Sequence, residues 1–231
     1  MKRFYKEVSV GEEGGAFRVL LDGCAIKSKG SNALEVPTRA LAEAIAEEWR
    51  AQGETVAPQD MLLTRLAFAV LDGVRAERHR IAEHALSYGR TDLLSYRAEQ
   101  PQELIERQAR AWDPLLDWSA QRFGAHLSVA HGIAHVAQSE DAVAALERAI
   151  AAHEDFALAA LHSAATITGS LILALALSEQ RLDAEQAFAA ATIDEAYQAE
   201  KWGRDAEAEA RLKRLAAELA AAECFLKLLE R

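Results

Sequence analysis

Seven histidines, two cysteines and 36 acidic residues are the side chains in this sequence that could do chemistry. His131 and His135 stand four apart with His126 close by, a spacing that on a helix would put two imidazoles on one side, as metal ligands require. Gly132 lies between them, the surrounding residues alternate weakly, and no Asp, Glu or Cys falls at ligand spacing within the stretch. These read as surface or loop histidines, and no metal site is expected. His79 and His84, five apart, face different ways on a helix. Cys24 and Cys224 lie near opposite ends of the chain and read as reduced, inert thiols rather than a disulfide framework. The sequence holds no phosphate loop, nucleophile elbow, His-Glu-x-x-His or Cys-x-x-Cys pattern. Gly11-Glu12-Glu13-Gly14-Gly15 sits between two strand-like runs and opens no helix, so it cannot aim helix amides at a phosphate. Neither a cofactor nor a catalytic residue is expected.

Glu195 is the acid that stands out. The helix expected after Asp183 has Phe188, Ala191, Glu195, Ala199 and Trp202 at spacings of three and four, which puts Glu195 on the inward stripe. A carboxylate on an apolar face is costly unless it is paired, protonated or near water. Three roles are open to it: a structural ion pair with an arginine such as Arg65 or Arg97, a contact at a groove edge for a basic or amide-rich partner, or a general acid. The last lacks a companion carboxylate, histidine or nucleophile. A second polar group is Asp92, Tyr96 and Arg97 in Thr91-Asp92-Leu93-Leu94-Ser95-Tyr96-Arg97. It offers hydrogen-bonding groups about a helical turn apart, with capping by Thr91 or Asp92 as the simpler role.

These residues must be positioned by two kinds of element. Residues 1 to about 36 read as three or four short antiparallel strands: Phe4–Val10, a Gly11–Gly15 turn, Ala16–Leu21, the hairpin dipeptide Asp22-Gly23, Cys24–Ser28 and Ala33–Val36. From Pro37, suited to a first helical position, Leu41, Ile45 and Trp49 share a helix face that Gly53 ends. Thr55–Gln59 is the expected boundary, giving a β-rich domain with one helix over 1–58 and a helical domain over 59–231. In the latter, helices are expected over Met61–Val74 and Ala76–Tyr88, ended near Gly89. A further helix opens at Pro101 with Leu104, Gln108, Trp112, Leu115, Ser119 and Phe123 on one face and a kink or restart at Asp113-Pro114. His126–Gln138 is an extended strand or loop. Ser139 caps a short helix, Asp183 and Gln186 form a capping box, and Asp205 begins a last amphipathic helix. The fold class is α+β, a small antiparallel β domain followed by a larger all-helical one.

A net charge of −10 argues against nucleic acid or an anionic membrane as partner. The hydrophobic fraction of 51% leans on alanine, a strong helix former. Phe156–Leu177 approaches the length of a membrane span but carries His162, Ser163, Thr166, Thr168 and Ser170, and reads as a buried central helix. With no apolar or amphipathic leader visible, a cytoplasmic monomer without stable membrane insertion is expected.

Several segments then share an order that is specific in combination: Arg3-Phe4-Tyr5-Lys6, Leu21-Asp22-Gly23, Val36-Pro37, Glu48-Trp49 with Gln52, Thr91 to Arg97, and Trp112-Asp113-Pro114-Leu115-Leu116. Thr168-Gly169-Ser170-Leu171 and Asp194-Glu195-Ala196-Tyr197-Gln198 with Trp202-Gly203 complete the series. In these the chain resembles, from about residue 3 to about 225, the ATP synthase assembly chaperones that handle the alpha subunit of the catalytic head. The resemblance implies a bacterial relative of the mitochondrial protein. It also implies a non-catalytic role: binding new alpha subunit and preventing its aggregation before it meets the beta subunit. The family's functional glutamate falls at Glu195, and the resemblance places partner contacts at Glu195, Asp194, Gln198, Trp202, Asp92, Tyr96 and Arg97. Cys24 and Ser28-Lys29 depart from the family pattern, in which arginine and Thr-Pro are usual, so a partner contact by the β domain does not carry over.

Overall fold

The computed structural model describes every residue except Ile133, Arg204 and Arg231. The backbone gathers into two units, one of Met1–Arg78, Asp155–Ala160 and Cys224–Arg231, the other of His79–Glu154 and Leu161–Glu223.

The first unit is built on a four-stranded antiparallel sheet. Strands β1 (Val8–Glu13) and β2 (Ala16–Leu21) pair along their length from Val8 opposite Leu21 to Glu13 opposite Ala16. The turn between them is therefore only Gly14-Gly15, both at positive φ, and the expected five-residue turn is mostly strand. Asp22-Gly23 forms the second tight turn with both φ positive, as a type I′ hairpin needs. The Asp22 carboxylate accepts hydrogen bonds from the Lys6 and Glu7 amides, which pull its pKa down. Strands β3 (Cys24–Ala25) and β4 (Glu35–Val36) both pair with β2.

Helix α1 (Arg39–Arg50) packs on the sheet through Leu41, Ile45 and Trp49. Its N-cap is Thr38, whose hydroxyl accepts from the Leu41 amide, so Pro37 precedes the cap rather than opening the helix. Tyr5 lies before the strand, buried edge-on to Trp49, and its hydroxyl donates to the Trp49 carbonyl at 2.7 Å.

The unit runs past the boundary expected at 58 for a visible reason. The Glu48 carboxylate caps helix α2 (Leu62–Ala69), accepting from the Leu63 and Thr64 amides and the Thr64 hydroxyl. Asp72, in the π-helical turn Val70–Val74 after α2, binds the Ser28–Asn32 loop through Ser28, Gly30 and Asn32. The chain leaves the unit at Arg78, one residue past Glu77, where φ −127° and ψ 34° interrupt helix α3 (Arg75–Arg90).

In the second unit, helix α4 (Gln102–Phe123) buries Gln108, Trp112, Leu115 and Ser119, the face read from the sequence. It runs as one helix through Pro114, so the expected restart at Asp113 does not occur. The His126–Gln138 stretch gives one two-residue strand, β6 (Ala130–His131), parallel to β5 (Tyr96–Arg97). Helix α5 (Glu140–Ala151) is capped by Ser139 as expected.

The apolar run Phe156–Leu177 is two helices, α6 (Asp155–Thr168) and α7 (Leu171–Ser178), because Gly169 takes a left-handed φ of 67° and Ser170 caps the second of them. Every residue from Leu171 to Leu177 is buried. Among the described residues no helix is long and apolar enough to cross a membrane.

Helix α8 (Ala184–Ala191) begins with the Asp183–Gln186 capping box, and α9 (Ile193–Trp202) and α10 (Ala206–Leu229) complete the chain.

Helix α3 ends at Arg90, beside the stop read near Gly89, and Gly89 itself is a packing residue in its last turn. A Cβ there would come within 2.7 Å of Leu146 and 3.0 Å of Leu171, both fully buried. Gly89→Ala is therefore expected to destabilise the protein by about 1–3 kcal/mol, although alanine is the better helix former. A urea-unfolding midpoint equal to or above that of the parent chain would refute this packing role.

Candidate functional site

The break between α8 and α9 decides which way Glu195 points. Thr192, at φ −115° and ψ 24°, ends α8, its hydroxyl donating to the Phe188 carbonyl. The buried stripe runs through Ala184, Ala187 and Ala190 and then Tyr197, not through Phe188 and Trp202. Small alanines let the helices approach closely, whereas a stripe drawn through the large aromatic residues is one position out of phase. Glu195 therefore faces solvent, which corrects the inward placement, and the cost of burying its carboxylate does not arise.

Tyr197 fixes the helix in this orientation. Its ring is buried, with the Arg107 guanidinium 5.3 Å and the Lys201 ammonium 5.0 Å from the centroid. Arg107 of α4 also bridges Glu103 and Glu200, and Lys201 reaches back to Glu103 at 2.9 Å. Lys201 and then Arg107 hold the Glu103 carboxyl below the usual carboxylate range, and Arg107 does the same for Glu200. Nearby, the half-buried Asp194 accepts from the Gln108 amide at 2.7 Å, while Gln108 accepts from the Ala98 amide. Trp112 donates its indole N–H to the Ala190 carbonyl at 2.8 Å, tying α4 to the end of α8.

This scaffold presents Glu195, Gln198 and Trp202 together on an open groove of about 520 Å³, whose other wall is α10, with Ala208, Arg211 and Leu212. Trp202 is 77% exposed. Among the described residues Glu195 makes no hydrogen bond or ion pair; neither Arg65 nor Arg97 reaches it.

The other predicted residues are placed elsewhere. Asp92 is completely buried: it caps the 3-10 turn Leu93–Ser95 through the Leu94 amide and accepts from the Ser170 hydroxyl at 2.7 Å and the Ile172 amide at 3.0 Å. Burial outweighs these donors and pushes its pKa up to about 6. Arg97 is buried over the Trp112 ring, donates to the Leu94 carbonyl, and has a guanidinium nitrogen 2.8 Å from Asp113. Tyr96 reaches His135 at 3.2 Å. None of these three lines the Glu195 groove. Asp92, Arg97 and Asp194 are thus engaged in contacts that hold the fold.

One pairing was not legible in the chain. His84 and His162 meet at 2.7 Å, and burial together with His84 lowers the His162 pKa. They are 78 residues apart, so no spacing rule could join them. Among the described residues no group of three or more His, Cys, Asp or Glu is placed to hold a metal ion.

The chain thus joins a small antiparallel sheet to a mostly helical part that carries an exposed polar and aromatic face on an anchored helix. The ATP12 chaperone protein family matches residues 2–120, and the chain belongs to this family of ATP synthase assembly chaperones. It is similar to the mitochondrial atp12 protein of Schizosaccharomyces pombe, 26% identical over 215 residues that cover 87% of this chain and 74% of that one. It is also similar to the crystal structure of Atp12 from Paracoccus denitrificans, 42% identical with a TM-score of 0.94 over 99% of this chain and 98% of that one. A variant of the Paracoccus protein with one aspartate replaced by lysine matches equally. A candidate chaperone from Agrobacterium tumefaciens matches at 39% identity and a TM-score of 0.95, over 99% of this chain and 86% of that one.

Proposed function

We propose that this chain binds the unassembled alpha subunit of the ATP synthase catalytic head and shields it from aggregation, without catalysing a reaction. The observation that carries the reading is the exposed face of α9, where Glu195, unpaired among the described residues, Gln198 and a solvent-facing Trp202 share one groove. A carboxylate with no partner among the described residues, beside an exposed indole, suits a partner that supplies a cation or amide and an apolar surface. Tryptophan is among the residues that most often carry binding energy at such contacts. The groove is open, where an enzyme for small molecules would need an enclosed pocket with convergent polar groups.

Glu195→Lys is expected to abolish the gain in soluble alpha subunit on co-expression while leaving the thermal midpoint nearly unchanged. The thermal half of this expectation rests on exposure, since surface substitutions generally move stability by no more than about 0.5 kcal/mol. Co-expression of the parent chain that leaves alpha subunit as insoluble as a control chain does would defeat the proposal. A Glu195→Lys variant that protects as well as the parent would remove Glu195 from it.

A further inference from the structure

A second groove, of about 730 Å³, lies between α4, α8 and α9 and adjoins the first at Ala196. Its apolar lining includes Leu115, Ala190 and Ile193, and its charged members are Arg107, Arg110 and Arg181. No Asp or Glu lines it, in a chain with 36 acidic and 26 basic side chains. The charge of Arg107 is taken up by Glu103 and Glu200. Arg110 and Arg181 are exposed and, among the described residues, their side chains form no ion pair or hydrogen bond. An apolar trough with two uncommitted guanidiniums is complementary to one kind of ligand.

We propose that this groove takes a short apolar segment of a client polypeptide flanked by carboxylates, the apolar side chains lying over Leu115 and Ile193 and the acids meeting Arg110 and Arg181. The inference rests on the chaperone reading in that the segment belongs to a client. It adds a basic contact to the acidic one at Glu195, so that charge fixes the direction in which a client chain lies across α9. Arginine suits this task because its planar fork matches a carboxylate with two parallel hydrogen bonds.

The test uses the full chain and three fluorescent peptides with the same leucine- and phenylalanine-rich centre, flanked by glutamate, lysine or serine. Anisotropy at low salt is expected to show the glutamate peptide binding at least about ten-fold more tightly than the lysine peptide, as complementary charge selects partners and repels wrong ones. The double variant Arg110→Glu, Arg181→Glu is expected to reverse that order. Ala189→Trp, a substitution at an exposed position in the same groove, is expected to abolish binding of all three. Thermal melts confirm that each variant folds. Equal binding of the glutamate and lysine peptides, binding unmoved by the variants, or no binding of any peptide overturns the proposal. So does self-association of the parent chain in sedimentation that Ala189→Trp removes, which would assign the groove to a second copy. If the peptides fail but Glu195→Lys still abolishes client protection, the groove proposal falls alone. If the peptides behave as expected but alpha subunit is not protected, the client assignment falls and the groove stands.

Discussion

The stability of the parent chain relative to Asp92→Asn is expected to fall by up to about 3 kcal/mol as the pH is raised from 4 to 7. Asp92 is fully buried and its carboxyl titrates at about 6 against an ordinary value of 3.8. Folding therefore strengthens proton binding at this site, so its contribution is fully present below about pH 4 and is lost as the pH rises through about 6. That displacement corresponds to about 3 kcal/mol. Asparagine does not titrate, so subtracting its denaturation curve from that of the parent at each pH isolates the one group. A difference that stays flat from pH 4 to 7 would show Asp92 ionised throughout. The donors from Ser170, Leu94 and Ile172 would then outweigh the loss of water around the carboxylate.

The second large effect is expected at Trp112. It is 1% exposed, its indole donates to the Ala190 carbonyl, and the Arg97 guanidinium lies 5.1 Å from its ring centre. Trp112→Ala is expected to cost about 3–5 kcal/mol, since it leaves a cavity where α4 meets the end of α8. Trp112→Phe keeps most of the ring and loses the hydrogen bond, so about 1–2 kcal/mol is expected. Equal losses for the two variants in chemical denaturation would mean that neither ring volume nor cavity governs this junction.

These two residues also show what could be read from the chain. Trp112 was legible because α4 is amphipathic over 22 residues, long enough for its period to select the buried face despite Pro114. The turn at Asp22-Gly23, the caps at Ser139 and Asp183 and the α+β order were legible for the same local reason. Asp92 was seen as a cap, but its burial comes from α7, 78 residues away at Ser170, which no local pattern records. Glu195 was picked out for its place on an apolar stripe and was put on the wrong face, because the phase of α8 was carried through Thr192, where the helix breaks. Gly89 looked like punctuation and is a contact between helices. The motifs that carry the family resemblance include many such joints: Asp22, Glu48, Asp92, Trp112 and Ser170 each hold two elements together.

The exposure of Trp202 gives the chain a reporter of its own. Trp49 and Trp112 are buried and Trp118 is half-covered, so three of the four indoles are shielded while Trp202 stands in water. A dissolved quencher such as iodide reaches that indole ahead of the others. A polypeptide settling over α9 replaces its water and moves its emission toward the blue. On the proposed reading, client capture over α9 would be tracked in real time from native fluorescence, with no label on either chain.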